Sequence, residues 1–141
     1  MALNLVPGNR YILINSKAQT ALDLSGEDNE SVIGYPRHRG ENQQWEITYA
    51  DQGWHIKNVA TDKYLRYDGG EEDGSRLIAT DSPFTWHIWP DTDEITAGRI
   101  VVPSTNLNVD LSGEGNPEPG TPVELWGRWE ARNQVWHFEQ V

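Results

Sequence analysis

The chain has no cysteine, few basic residues and no long hydrophobic run. Without cysteine, neither a disulfide nor a thiolate metal site can form. Lys and Arg number 11 against 22 Asp and Glu, and the resulting net charge of -11 repels nucleic acid and anionic lipid. No segment approaches the ~20 apolar residues that cross a bilayer. No basic segment followed by an apolar run opens the chain, so we expect a cytoplasmic protein.

Tryptophan, glycine and proline are plentiful instead. The 13 Gly and 8 Pro fit an all-β chain with many tight turns. The 7 Trp exceed what is usual at this size, and aromatic side chains serve both cores and the recognition of carbohydrates, peptides and bases. A length of 141 residues suits one domain with a proper core, so we treat 1–141 as a single domain.

A four-residue phrase in the first third of the chain recurs near its end. Asn42-Gln43-Gln44-Trp45 is repeated as Asn133-Gln134-Val135-Trp136, and an aromatic residue, Tyr35 or Trp126, precedes each Asn. Further upstream the phrase Asp-Leu-Ser-Gly also occurs twice, beginning at Asp23 and at Asp110. Two ordered copies indicate an internal repeat.

Short β-branched and aromatic runs between turn residues predict twelve strands in three units, about 1–50, 51–93 and 94–141. No helical period stands out. One unit of four short strands cannot bury its own apolar face, whereas three units closed into a ring can, and closure removes exposed sheet edges. The predicted strands are 10–15, 20–24, 31–35, 44–49, 53–58, 64–67, 75–80, 85–89, 98–102, 107–111, 121–126 and 135–140.

Three units of this length resemble the β-trefoil, and Gln-x-Trp with an upstream Asp resembles the ricin-B-type lectin family. The cysteine-free composition is similar to that of its small mushroom lectins. The resemblance implies terminal galactose or N-acetylgalactosamine on glycoproteins or glycolipids as the ligand, without a cofactor. It also implies a role in fungal defence against animals. A single site binds weakly, so we expect a homodimer that adds avidity.

Strand alternation predicts different roles within the repeated phrase. In an extended segment Gln43 and Trp45 point to one side and Asn42 to the other. We therefore expect Trp45 in the core and Gln43 satisfying buried backbone groups of the adjoining loop, with Asn42 facing outwards near Asp23. The residues predicted to be structural are Gln43, Trp45, Trp86, Gln134 and Trp136.

The chemistry of a hexose matches the outward-facing residues of the first repeat. A carboxylate such as Asp23 accepts hydrogen bonds from two adjacent hydroxyls, and Asn42 offers both a donor and an acceptor. Tyr35 or His38 can cover the apolar face of the sugar, and Gly40 permits close approach of the backbone. The predicted primary site comprises Asp23, Ser25, Gly26, Tyr35, His38, Gly40 and Asn42.

The other two repeats keep different parts of this set. The second has Arg66 at the Asp position, Ala79 or Thr80 at the aromatic position and Pro83-Phe84 in place of Asn-Gln, so we expect no site there. The third keeps the set, with Trp129 and Ala131 where the first has His38 and Gly40. Its longer loop, 113–120, is able to cover the pocket. A second possible site comprises Asp110, Trp126, Trp129 and Asn133.

Other functions find less support in the sequence. No catalytic motif is present, the histidines lack metal-ligand spacing, and the acidic loop 68–73 lacks the Glu that ends a calcium loop. We therefore expect neither an enzyme nor a metal site. The alternative is a β-trefoil protease inhibitor acting through a protruding loop, 115–122 or 90–97. Basic residues at 37–39, 128 and 132 either favour acidic glycans or pair with Glu41 and Glu130, and we favour pairing.

Overall fold

The computed structural model describes residues 3–141, in which almost all regular structure is β. A short turn at Ser112–Gly115, in which Gly113 and Glu114 have left-handed φ of 64° and 56°, and single 3-10 turns at Glu41–Gln43 and Arg132–Gln134 are the exceptions. The strands are β1 (Arg10–Asn15), β2 (Ala21–Leu24), β3 (Val32–Tyr35), β4 (Trp45–Ala50), β5 (Gly53–Asn58), β6 (Tyr64–Tyr67), β7 (Leu77–Thr80), β8 (His87–Pro90), β9 (Ala97–Val101), β10 (Leu107–Leu111), β11 (Thr121–Gly127) and β12 (Trp136–Gln140). Each predicted strand has its counterpart, and the ends shift by two residues at most.

Six of these strands form a closed antiparallel barrel. Its order is β1, β4, β5, β8, β9 and β12, and β12 pairs with β1 to complete the ring. The contact between β5 and β8 is a single bridge between Trp54 and Trp86. The other six strands form three hairpins, β2–β3, β6–β7 and β10–β11. The predicted all-β, threefold β-trefoil architecture is confirmed.

The three hairpins contact one another in a ring at one end of the barrel. β3 pairs with β11 through Gly34 and Thr121. Single bridges join Ser31 to Ile78 and Arg76 to Glu124. Each hairpin therefore has a neighbour from another repeat on both sides, so a cavity beside one hairpin can include residues of a different repeat.

The tryptophans of the repeated phrase lie at the centre of the core. Trp45, Trp86 and Trp136 are fully buried. Each donates its indole Nε1–H to a main-chain carbonyl of the hairpin in its own repeat, and these carbonyls belong to Leu22, Leu65 and Val109. Truncation of such a side chain to Ala typically costs about 3–5 kcal/mol. Because the three carbonyls immediately precede Asp23, Arg66 and Asp110, the core fixes the backbone beside each candidate site.

Candidate functional site

The carboxylate of Asp23, on β2, is the centre of the first-repeat site. The side chain is only 3% exposed. Its Oδ1 accepts a hydrogen bond from Asn42 Nδ2 at 3.2 Å, and its Oδ2 accepts one from Gln43 Nε2 at 2.9 Å. Two neighbouring amides therefore fix the orientation of one carboxylate.

The strand-alternation argument for Asn42 and Gln43 was wrong. The backbone over Glu41–Gln43 forms a 3-10 turn, and β4 begins only at Trp45. In a 3-10 turn, unlike in a strand, successive side chains do not alternate between two opposite faces, so Asn42 and Gln43 both reach Asp23. Sequence spacing alone gave no sign of this turn.

Gln43 has the predicted structural role and a further role at the site. Its Nε2 also donates to the Pro36 carbonyl at 3.0 Å, and its Oε1 accepts the His38 N–H at 3.0 Å. One buried amide thus connects the Asp23 carboxylate to the loop that carries His38. Loss of Gln43 would leave buried polar groups unpaired, which is costly.

The imidazole of His38 lies beside Asp23 in a defined orientation. Its Nδ1 accepts the Gly40 N–H at 2.9 Å, so the proton of the neutral ring belongs on Nε2. Nε2 faces Asp23 Oδ2 at 3.7 Å. The ring packs edge-on against Tyr35, with centroids 6.1 Å apart. His38 therefore presents a donor next to the acceptor Asp23.

Opposing influences act on the protonation of Asp23. Burial raises the pKa of its carboxyl above the ordinary value, while the Gln43 hydrogen bond, the charge of His38 and the Asn42 hydrogen bond lower it in part. The net direction is upwards. A hydroxyl-bearing ligand that donates to this carboxylate favours the ionised form and acts against the effect of burial.

Six of the seven residues predicted for the primary site line one open cavity of about 550 Å³. The seventh, Gly40, lies behind the cavity wall. A Cβ at Gly40 would come within 2.6 Å of the His38 ring and 2.9 Å of Asn42 Oδ1, so the glycine leaves room for these side chains. The lining residues are Asp23, Ser25, Gly26, Glu27, Ile33, Tyr35, His38, Asn42, Pro119 and Gly120.

Pro119 and Gly120 enter this cavity from the third repeat. The Gly120 N–H donates to the Gly34 carbonyl at 2.9 Å and aligns the end of the long loop with β3. We expected the loop 113–120 to be able to cover the third-repeat pocket, but it is divided between two sites. Gly113 and Glu114, at its start, line the third-repeat cavity, and its last two residues line the first.

The third repeat builds the same arrangement around Asp110, on β10. Asn133 Nδ2 donates to Asp110 Oδ1 at 3.0 Å, and Gln134 Nε2 donates to Asp110 Oδ2 at 2.9 Å. The cavity of about 250 Å³ is smaller and contains all four residues predicted for it. Sequence reasoning missed Glu124. The lining residues are Asp110, Gly113, Glu114, Glu124, Trp126, Trp129 and Asn133.

A buried ion pair supports only the third-repeat cavity. Arg99 is 1% exposed, and it donates to Gln134 Oε1 at 2.8 Å and to the Trp129 carbonyl at 3.2 Å. Its Nε pairs with Asp91 Oδ1 at 3.2 Å. Although burial opposes ionisation, hydrogen bonds from Glu94, Arg132, Asp93 and Arg99 hold the pKa of Asp91 well below its usual range.

Two of the basic loop residues, Arg37 and Arg132, pair with residues other than those expected, and Arg128 lies near the expected one. Arg37 pairs with Glu139, and Arg132 pairs with Asp91 and Glu94. Arg128 lies 4.0 Å from the expected Glu130. The prediction that Glu41 pairs with the basic residues of its loop was wrong. Glu139, which is distant in sequence but lies on β12 beside this loop, pairs with Arg37 instead.

The second repeat has no comparable carboxylate. The guanidinium of Arg66 lies over the ring of Phe84, with Cζ 5.0 Å from the centroid, and Phe84 packs edge-on against Trp86. Across the hairpin, Thr80 occupies the position that corresponds to Tyr35. Acceptor, aromatic ring and amide are therefore all replaced.

The described residues contain neither a cluster of metal-ligating side chains nor a membrane-spanning helix. Within residues 3–141 no three His, Asp or Glu side chains approach closely enough to hold a metal ion. The same part of the chain contains no helix with the length and apolarity needed to span a membrane.

A closed threefold barrel with three hairpins at one end defines a β-trefoil protein, and polar, aromatic-lined cavities lie beside two of these hairpins. The chain belongs to the ricin-type β-trefoil lectin domain-like family, whose family model matches residues 3–80 and 41–126. No curated protein sequence matches the chain.

Solved structures agree with this assignment. The Macrolepiota procera ricin B-like lectin, in complex with lactose, is 46% identical, with a TM-score of 0.96 over 98% of this chain and 99% of that one. The Rhizoctonia solani agglutinin is 23% identical, with a TM-score of 0.88 over 99% and 100%. The earthworm R-type lectin C-half, in complex with GalNAc, is 16% identical, with a TM-score of 0.71 over 94% and 99%. The last two support the fold.

Proposed function

We propose that this protein is a lectin that binds terminal galactose or N-acetylgalactosamine, mainly in its first-repeat cavity. The observation that carries the proposal is the Asp23 carboxylate, held by Asn42 and Gln43 in an open cavity beside Tyr35. The Macrolepiota procera lectin, 46% identical over almost the whole chain, is in complex with lactose, a disaccharide that ends in galactose. Family membership and site chemistry therefore favour the same ligand.

The free hydrogen-bonding capacity of the cavity suits a sugar rim. Each oxygen of Asp23 accepts one amide hydrogen bond and keeps capacity for one ligand hydroxyl. Asn42 Nδ2 is already used, because it donates to both Asp23 Oδ1 and the Leu24 carbonyl. The Asn42 side chain therefore offers only its oxygen to the sugar. The hydrogen-bond donor is supplied by His38 Nε2 instead. The 40% exposed ring of Tyr35 covers an apolar sugar face.

The protease-inhibitor alternative finds no support in the two loops suggested for it. Pro119 and Gly120 of the segment 115–122 line the first-repeat cavity. Asp91 of the segment 90–97 is buried against Arg99. Residues with these contacts are held against the domain, whereas an inhibitor loop protrudes from it.

Several parts of the proposal reach beyond the binding site. We propose binding without catalysis, because amides on both oxygens hold Asp23 as an acceptor that orients hydroxyls. We also propose a homodimer, because two weak sites on one particle bind clustered glycans with added avidity. A cytoplasmic defence lectin that meets glycoproteins or glycolipids of an animal is consistent with the family and the acidic, cysteine-free sequence.

The proposal is tested by calorimetric titration of methyl β-galactoside into the wild type and the Asp23→Asn variant. Hydrogen bonds to a charged group contribute about 1.5–3 kcal/mol, so we expect a loss of affinity of about 10-fold to 100-fold. Asp68→Asn, in an exposed loop of the second repeat, is the matched charge control and should bind like the wild type. Unchanged binding by a folded Asp23→Asn protein would contradict the first-repeat assignment. A wild type that binds no glycan on an array would contradict the lectin proposal itself.

A further inference from the structure

The third-repeat cavity has a second carboxylate where the first-repeat cavity has an aliphatic side chain. In the β2–β3 hairpin Asp23 is directly opposite Ile33, and in the β10–β11 hairpin Asp110 is directly opposite Glu124. Directly opposed residues have Cβ atoms about 4.5–5.5 Å apart on one face of the sheet. Ile33 and Glu124 each line the cavity of their own repeat. Glu124 therefore adds a negative charge next to Asp110.

A second replacement changes the cavity in the same direction. The imidazole of His38 faces Asp23 at 3.7 Å, whereas Trp129 takes the corresponding position near Asp110. The third-repeat cavity thus loses a group able to carry positive charge and gains an indole. Trp126 and Trp129 are 43% and 41% exposed. Aromatic faces attract cations, and indole does so most strongly.

Among the described residues the carboxylates of this cavity form no ion pair, although Arg76 is bridged to Glu124 from the neighbouring hairpin. Within residues 3–141, no Lys, Arg or His nitrogen lies within 4 Å of either the Asp110 or the Glu124 carboxylate. Burial first, and Asp110 and Asp73 in addition, raise the pKa of Glu124, while the charge of Arg76 lowers it. Lys17 reaches only the Glu114 carbonyl, at 3.3 Å. A cation in the cavity would relieve the repulsion between the two carboxylates.

An unpartnered buried acceptor points independently to a ligand. Asn133 is 2% exposed and lines the cavity. Its Nδ2 donates to Asp110 Oδ1 and to the Leu111 carbonyl, both at 3.0 Å, and its Oδ1 has no partner. A buried acceptor without a donor is costly. Asp110, Glu124 and Asn133, all of which carry acceptor oxygens, therefore line a cavity that suits a ligand rich in donors.

We propose that the third-repeat cavity binds a hexose with a free ammonium group, such as 2-amino-2-deoxygalactose, and that Glu124 selects the charge. The inference rests on the proposed carbohydrate-binding function, because Asp110 and Asn133 take sugar hydroxyls as their counterparts do in the first repeat. The ammonium group supplies three donors and a positive charge to Glu124 and to an indole face. N-acetylation removes that charge, so the two cavities differ in selectivity.

The test uses the Asp23→Asn protein, in which the first-repeat site is weakened, at about pH 6.5, where an amine of ordinary pKa is protonated. Titration with 2-amino-2-deoxygalactose and with galactose should give an affinity about fivefold higher for the amino sugar, the upper end of what one exposed ion pair contributes. Adding Glu124→Gln should reduce this preference to less than about twofold. Adding Glu30→Gln, which removes the same charge at an exposed position, should leave it unchanged.

A reciprocal variant makes the test independent of how well Glu124→Gln folds. Ile33→Glu in the otherwise wild-type protein should give the first-repeat cavity a preference for the amino sugar. Ethanolamine, an ammonium without a sugar ring, should bind at least about tenfold more weakly than the amino sugar. This inference would be overturned if ethanolamine bound as tightly as the amino sugar, or if the preference for the amino sugar survived Glu124→Gln. In either case, galactose binding by the wild type would leave the proposed function standing. A wild type that binds neither sugar would overturn both.

Discussion

The first-repeat and third-repeat cavities share their centre and differ in their walls and their support. Both hold an aspartate between an asparagine and a glutamine, with hydrogen bonds of 2.9–3.2 Å. The first is lined by Ile33 and His38, and the third by Glu124 and Trp129. Only the third has a buried Arg99–Asp91 pair behind its glutamine. The repeated phrase therefore specifies an oriented carboxylate, while residues outside the phrase decide what each carboxylate meets.

The second repeat separates the two functions of the phrase. It keeps Trp86, which donates to the Leu65 carbonyl as its counterparts do in their own repeats. It has no amides at the positions of Asn42 and Gln43, and Arg66 replaces the aspartate. A repeat can thus hold the core together without a binding site, because the tryptophan and the amides make separate contacts.

The largest effect is expected from breaking the buried Arg99–Asp91 ion pair behind the third-repeat cavity. Asp91→Ala leaves Arg99 charged and almost fully buried without its partner, which should lower the free energy of unfolding by about 3–5 kcal/mol. Urea unfolding followed by tryptophan fluorescence measures the change. Asp93→Ala, an exposed neighbour in the same loop, should change stability by less than about 0.5 kcal/mol. A loss below about 1 kcal/mol in Asp91→Ala would show that the pair contributes little.

A smaller effect is expected from making the first cavity resemble the third at one position. Gly40→Ala adds a Cβ within 2.9 Å of Asn42 Oδ1 and closer still to His38, whereas Ala131 stands there naturally in the third repeat. The φ of Gly40 is -67°, so the backbone itself tolerates alanine. We expect galactoside affinity to fall about tenfold, because a displaced polar group loses about one hydrogen bond. Calorimetry measures this loss, with Ala131→Gly as the control. Wild-type affinity in both variants would contradict this explanation.

A pH-dependent effect is expected from protonation of Asp23. Because its folded-state pKa is raised, Asp23 takes up a proton and loses an acceptor at a higher pH than an ordinary aspartate, whose pKa is about 3.9. Galactoside affinity should therefore fall by up to about tenfold per pH unit once the pH drops below that raised pKa. Titration calorimetry across this range measures it, and Asp23→Asn should lack the transition. A transition at a pH no higher than the pKa of an ordinary aspartate would contradict the effect of burial on the pKa of Asp23.

Asp23 and Asp91 change stability in opposite directions as the pH falls. Protonation of Asp23 favours the folded state, since its pKa is raised by folding. Asp91 has a lowered pKa, so its contribution is fully present above the unfolded value of about 3.9 and is lost as the pH falls below it. Sugar binding should therefore weaken before the protein unfolds.

Local patterns in the sequence predicted the strands and the site centres. β5, β6 and β10 match their predicted ends, because turn residues limit each run of β-forming side chains. Asp23 and Asn42 were recognisable because the phrases that contain them recur in the same order around Asp110 and Asn133. Repetition of a pattern thus marked residues whose contacts are also repeated.

Contacts that occur once and join distant segments left no such pattern. Arg99 lies on β9 and Asp91 directly follows β8, and neither had a counterpart to mark it. Glu124 looked like any strand residue until its register with Asp110 was known. The 3-10 turn before Trp45 was missed because Asn42 and Gln43 stabilise it through a carboxylate about twenty residues away. These features depend on tertiary pairing, which a linear pattern does not encode.

The pairing of β3 with β11 makes sugar binding depend on the completion of the chain. Pro119 and Gly120 reach the first-repeat cavity only when the third hairpin has docked on the first. During synthesis the first repeat leaves the ribosome long before these residues exist, so a nascent or truncated chain lacks part of the wall. We therefore expect immobilised galactoside to retain finished molecules more strongly than chains in which the third hairpin is missing or undocked.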